Sequence, residues 1–192
     1  MKRIALINGH PNPGSFCHAI TAAYKAGAEA SGAAVKEIRI AALDFEPNLK
    51  YGYRQRQELE PDLQEAWQII QWADHLVWVH PVWWGGFPAI MKGFIDRLFL
   101  PGMAYKYREN SVWWDKLLNG KTAHIITTLD QPGWYYRFSF GRPSVNQLRR
   151  SVLEFCGIKP VRVSYVGIIK TATEVKRKKW LEQVQEMGKR LK

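Results

Sequence analysis

HPVWWGGFPAIMKGFIDR, residues 80–97, follows the apolar run Leu76-Val77-Trp78-Val79 and leads into a segment with helical patterning. A strand end, a turn and a helix start therefore meet within it. Two adjacent tryptophans, Trp83 and Trp84, stand beside Gly85 and Gly86, which puts flat aromatic surface next to backbone that a ligand can approach closely. That pairing suits a planar ring. Residues 8–16, NGHPNPGSF, repeat the arrangement after the apolar run Ile4-Ala5-Leu6-Ile7 and before another helix-like segment. In a parallel α/β sheet both turns fall at the carboxyl ends of strands, where open sheets bind ligands.

Working outward, five short apolar runs read as strands, at 3–7, 34–40, 75–80, 122–127 and 162–166. They alternate with helix-patterned segments at 15–31, 61–73, 88–99, 143–155 and 173–191. Within 61–73, Pro61 suits a first turn, Asp62 and Glu65 sit near the positive end of the dipole, and Leu63, Ala66, Trp67 and Ile70 share one face. This alternation predicts an α/β fold, a mostly parallel sheet with helices on both faces, built as a single domain over 1–192. The stretches 41–60, 100–120 and 128–142 exceed the usual connection length and read as lids or binding loops.

The chain carries a net charge of +11, and residues 142–192 hold 13 Lys/Arg against 4 Asp/Glu. Lys176-Arg177-Lys178-Lys179 lacks aromatic interleaving or finger-like spacing, so a solvated helix face is expected there and nucleic acid is not the expected partner. Cys17 and Cys156 show no metal-ligand spacing and read as free thiols of a reducing compartment. The first apolar run stops at Asn8, too short for a secretory segment, and Pro81, Gly85, Gly86 and Pro88 interrupt the best candidate span. A cytoplasmic protein without membrane insertion is expected.

The loop Gly9-His10-Pro11-Asn12-Pro13-Gly14-Ser15-Phe16 lacks the G-x-G-x-x-G fingerprint, and Ser15 stands where a P-loop has lysine. What remains is a glycine and hydroxyl turn opening a helix, able to hold a phosphate on backbone N–H groups. The alternative is an ordinary turn in which Ser15 caps the helix. Together with the tryptophan turn, a phosphorylated planar cofactor is the better explanation. The loop 128–137, TLDQPGWYYR, adds hydroxyls, aromatics and a cation, with Tyr135 the expected ligand contact; Trp67, Trp72 and Trp180 are expected to pack. His10 and His80 sit at strand ends and read either as acids or as structural hydrogen bonders. No spacing supports a nucleophilic triad or a metal site, so the chemistry is assigned to a bound cofactor.

At GHPNPGSF (9–16), PVWWGGFPAIMKGFIDRLFLPGMAY (81–105) and the TT and GWYY segments within 127–136, the chain resembles the flavodoxin-2 family, the flavin-dependent NAD(P)H:quinone oxidoreductases. The resemblance implies a flavodoxin-like fold with strand order 2-1-3-4-5 and a homodimer whose partner subunit completes the site. The family's phosphate contacts fall on His10, Ser15, Phe16 and Cys17. Its ring contacts fall on Pro81, Val82, Trp83, Trp84 and Gly85, and its third-loop contacts on Thr127, Thr128 and Tyr135. The GHP-x-P-x-SF form favours FAD over FMN. Two features depart from animal members: Leu129 and Asp130 replace two glycines, and Gly141 stands where those members have a catalytic histidine.

The implied activity is two-electron, ping-pong hydride transfer from NAD(P)H to a quinone or similar acceptor. Trp83, Trp84 and Tyr135 would frame the stacked rings, with Tyr135 the first choice of proton donor and His80 the second. Two rivals remain. The family also includes ancillary subunits of a membrane potassium-efflux system, which a basic C-terminal face could meet; a one-electron flavodoxin-like carrier would typically be acidic, against +11 here.

Overall fold

The computed structural model describes residues 1–190. Its central sheet consists of β1 (Arg3–Asn8), β2 (Ala34–Arg39), β3 (His75–Pro81), β6 (Thr122–Leu129) and β7 (Val161–Gly167). The spatial order is β2-β1-β3-β6-β7 and every pairing is parallel. The numbering skips β4 (Tyr105–Tyr107) and β5 (Trp114–Lys116), which form a separate antiparallel hairpin. With that hairpin set aside, the order is the expected 2-1-3-4-5.

The helices are α1 (Phe16–Ala30), α2 (Pro61–Trp72), α3 (Ala89–Leu98), α4 (Gly133–Phe138), α5 (Pro143–Asn146, widening into a π-helical stretch Gln147–Glu154) and α6 (Glu174–Lys189). The expected end of the last helix at Leu191 lies outside the described residues. Because the central strands are apolar on both faces, they support two cores. Ala5, Ile7, Leu76, Trp78, Ala123 and Ile125 pack against α2, α3 and α5, whereas Ile4, Leu6, Val77, Val79 and Ile126 pack against α1 and α6. Trp67 is buried, and Trp72 and Trp180 are half-buried against these cores, as expected.

α1 and α6 cross closely: a Cβ on Gly27 would run into the Gln185 carbonyl, and one on Gly188 into the Tyr24 carbonyl. That contact ties the last helix to the one that opens at the first loop. On the opposite face, the stretch 41–60 is strapped to α3 by the wholly buried Arg97. Its guanidinium donates to both Glu60 carboxylate oxygens at 3.1 and 2.8 Å, to the Glu58 carbonyl at 2.8 Å and to the Glu46 carbonyl. The stretch is irregular, as read, but it is held in place. The stretches 100–120 and 128–142 contain more order than expected, namely the β4–β5 hairpin and helix α4. No helix among the described residues is long and apolar enough to cross a membrane.

Candidate functional site

The carboxyl ends of β1, β3 and β6 bring the three turns together around a cleft of about 140 Å³. Its walls are His10, Phe16 and Cys17 from the first turn, Pro81, Val82 and Trp83 from the second, Thr128, Leu129 and Asp130 from the third, and Ile169 from the connection after β7.

The first turn is shaped by its own side chains. Asn8 Oδ1 accepts from His10 N at 2.9 Å, His10 Nδ1 accepts from Asn12 N at 3.0 Å, and Asn12 Oδ1 accepts from Gly14 N at 2.8 Å. Ser15 does not cap α1; its hydroxyl lies 3.1 Å from His18 Nδ1, and no acid occupies the first turn of the helix. Hence the leading N–H groups at Phe16 and Cys17 meet neither a capping oxygen nor a carboxylate, which leaves the positive helix end for an anion. The capping alternative is set aside on this geometry. Burial, reinforced by the nearby His18, holds the His10 imidazole below its ordinary value. With Nδ1 accepting, the neutral ring presents Nε2–H as a donor. Burial pushes the Cys17 thiol up to about 11, and Sγ lies 3.6 Å from Thr128 Oγ1, so Cys17 serves as a neutral wall.

The second turn is a tight reversal. Trp83 and Gly86 exchange backbone hydrogen bonds of 2.9 Å, and the central residues Trp84 and Gly85 both have positive φ, 51° and 80°. This is the two-residue hairpin geometry that glycine and asparagine favour. A tryptophan in the left-handed region is strained, by roughly 1–2 kcal/mol. Trp84 projects wholly into solvent, while Trp83 turns to the cleft with its ring centroid 5.4 Å from that of His10. On α4, Tyr135 is half-exposed outside the lining, edge-on to Trp134 and Phe140.

Six expected site residues are not among those lining the cleft, namely Ser15, Trp84, Gly85, Tyr135, Thr127 and His80, and the last two are buried in the sheet. Thr127 shares the sheet face of Ile125, opposite α1; it is fully buried and its hydroxyl donates to the His80 carbonyl at 3.0 Å. The His80 side chain is also fully buried, edge-on to Phe87, and burial pushes its imidazole down to about 4. Its Nδ1 lies 3.0 Å from the Pro81 carbonyl, which requires the proton on that nitrogen and leaves Nε2 bare. His80 therefore does not line the cleft.

Sequence reasoning passed over Ile169, in a connection without glycine or aromatic signal. Leu129 and Asp130, which lie in the third loop and depart from the family's two glycines, both line the cleft; the Asp130 carboxylate is engaged by the Lys170 N–H at 2.8 Å. The basic face reaches the same edge. Arg177 stacks over Phe16 at 5.5 Å while donating to the Ile169 carbonyl at 3.1 Å, and Lys176 lies 5.1 Å from the Trp180 ring.

Comparison with known proteins agrees with this architecture. A family model described as a flavodoxin-like fold matches residues 2–191. An uncharacterized NAD(P)H oxidoreductase of Haemophilus influenzae is 30% identical over 181 residues, covering 92% of this chain and 89% of the relative. An FMN-dependent NADH:quinone oxidoreductase of Caldicellulosiruptor saccharolyticus is 30% identical over 135 residues, 68% of this chain and 64% of the relative. The crystal structure of Smu.1420 from Streptococcus mutans superposes with a TM-score of 0.84 at 31% identity, covering 99% of this chain and all of that one.

Proposed function

The chain belongs to the Flavodoxin_2 family, and from that membership we propose that it is a flavin-dependent NAD(P)H oxidoreductase delivering two electrons to a quinone or similar acceptor. The observation that carries the proposal is the cleft itself, where an uncapped helix start, the Trp83 ring and the third turn converge. A flavin's phosphate finds donors there in the Phe16 and Cys17 N–H groups and in His10 Nε2, with no acid in the first helical turn to repel it. Pro81, Val82 and Trp83 supply an edge for its ring, and the backbone of the third turn lies opposite. When bound, flavin supplies hydride chemistry, accepting from NAD(P)H and giving to the acceptor in alternating half-reactions.

The protein's own work is binding and orientation. In this reading Trp83, Trp84 and Tyr135 would frame the space where nicotinamide and acceptor alternate, and Tyr135 is the proposed proton donor. The relative named as FMN-dependent gives FMN at least equal standing with FAD, so the cofactor is proposed as flavin without the FAD preference. A volume of about 140 Å³ is below the roughly 300–1,000 Å³ of small-molecule sites, so one chain encloses only part of a flavin. This favours a homodimer in which a second copy covers the rest, through the exposed Tyr51, Tyr53, Tyr107 and Trp113 of the loops beyond α3 and β2. The same reading places the enzyme in the cytoplasm, where two buried free thiols persist.

Apoprotein should bind FMN or FAD with quenching of flavin fluorescence, and the loaded protein should oxidise NAD(P)H in the presence of a quinone. Absence of binding at excess flavin refutes the proposal. A mass of one chain, 22.2 kDa, across micromolar concentrations in sedimentation refutes the dimer alone.

A further inference from the structure

Beside Tyr135, the residue singled out by sequence, stands Tyr136, whose side chain points the other way, into the protein. Tyr136 is fully buried, packed with Leu129 and Val145, with Val82 and Tyr165 at the edge of the cluster. Its hydroxyl donates to the Gly85 carbonyl at 3.3 Å and lies 2.6 Å from Ser144 Oγ. The Ser144 backbone N–H is 3.0 Å from the Gly85 carbonyl and 3.1 Å from the Tyr136 oxygen. One proton arrangement satisfies the set: Ser144 Oγ–H donates to Tyr136, and Tyr136 O–H donates to Gly85. Burial pushes the phenol above its ordinary value, which keeps it a donor.

Gly85 is one of the two positive-φ residues of the Trp83–Gly86 reversal, and the next contact its missing Cβ would make is Pro143 at 3.3 Å. The reversal is thus held down from the α4–α5 side at a single carbonyl, next to the strained Trp84. A strained turn persists only where its surroundings over-determine it. We infer that the Tyr136 hydroxyl, acting on the Gly85 carbonyl, is the latch that fixes the tryptophan turn over the cleft, making Tyr136 a positioning residue for the ring edge of the bound cofactor. The inference rests on the flavin reading for the identity of the ring, and on the turn geometry alone for the latch.

Tyr136→Phe keeps the buried ring and removes the hydroxyl, both the donor to Gly85 and the acceptor for Ser144, whose N–H retains the Gly85 carbonyl. In the apoprotein, hydrogen exchange of the segment 82–87 should become roughly fivefold to tenfold faster, the scale of one net hydrogen bond, while β3 keeps its protection. Binding of FMN and of riboflavin, titrated well below the melting range, should weaken by the same factor of roughly five to ten, because the ring edge changes and the phosphate turn does not. General destabilisation would leave both dissociation constants alone at that temperature. Ser144→Ala, which preserves the Tyr136 and Ser144 N–H donors to Gly85, should stay within about twofold of the parent in both measurements. Unchanged exchange of 82–87 in Tyr136→Phe overturns the latch, whether or not flavin binds. Faster exchange with unchanged riboflavin affinity overturns the positioning role. Failure of the parent to bind flavin refutes the proposed function, and the exchange measurement still decides the latch.

Discussion

Replacing Arg97 by methionine, which keeps an apolar stem and removes the guanidinium, should cost about 3 kcal/mol of stability. Arg97 is 0% exposed and its partner Glu60 28%, so the variant strands a carboxylate that retains some water. That places the loss near the lower end of the ~3–5 kcal/mol expected for a broken buried pair. In a chain of this size about 1 kcal/mol moves the melting midpoint by roughly 2–4 °C, giving a fall of roughly 6–12 °C. The Glu46 and Glu58 carbonyls lose their donor at the same time, so the stretch 41–60 should loosen. Trypsin reports on it through the exposed Lys50, Arg54 and Arg56. Glu60→Gln should be at least as damaging, because it leaves the cation buried without its anion, whereas Arg97→Met with Glu60→Met together should recover much of the loss. Burial pushes the Glu60 carboxyl up, but hydrogen bonds from Arg97 and backbone N–H groups outweigh it and leave the group below its ordinary 4.5. A lowered folded value means that this stabilisation is complete above about pH 4.5 and is lost as pH falls through the folded value. A melting midpoint within about 2 °C of the parent for Arg97→Met, with unchanged trypsin sensitivity, would refute the assignment of Arg97 as the strap.

Ser15→Asp should abolish most FMN affinity while sparing riboflavin, since it sets a negative charge at the uncapped start of α1; equal losses for the two ligands in a fluorescence titration would contradict a phosphate at this turn. Tyr135→Phe should lower kcat roughly tenfold, equivalent to about 1.4 kcal/mol, without changing flavin occupancy, and stopped-flow half-reactions at parental rates would transfer the proton role to another group. Gly188→Ala should destabilise the protein severely or prevent soluble expression, because its Cβ meets the Tyr24 carbonyl across the α1–α6 crossing; a melting curve like the parent's would show that the crossing can open.

The sheet was legible because β1, β3 and β6 carry continuous apolar runs and are buried almost end to end, as strands covered on both faces must be. That same property hid the facing of the site residues. When both faces are apolar, alternation gives no sign of which one α1 covers, so Thr127 and His80 looked as eligible as Thr128 and Pro81 merely by standing at strand ends. Turn chemistry was more informative: proline, glycine, asparagine and serine mark the two turns from which the first two walls of the cleft are built. The β4–β5 hairpin, with strands of three residues, offers too few positions for a period to show, and α4, six residues with Tyr136 as its buried side chain, is too short to display an amphipathic stripe. Cys17 and Cys156 are both free, as two cysteines in a chain of this length suggested, and both are buried.

The turn at Trp84 carries one further implication. The backbone there asks for glycine or asparagine, and the side chain that occupies it touches solvent instead of the core. Replacing it with glycine would relieve the local conflict and remove nothing that holds the sheet or the helices together. In energy-landscape language the position is frustrated: local preference and global fold disagree, and the hydrogen bonds from Tyr136 and Ser144 to the Gly85 carbonyl hold the turn against that preference. The exposed indole contributes nothing to that hold, so a search for stabilising substitutions would erase this residue first, and with it the flat surface the turn presents.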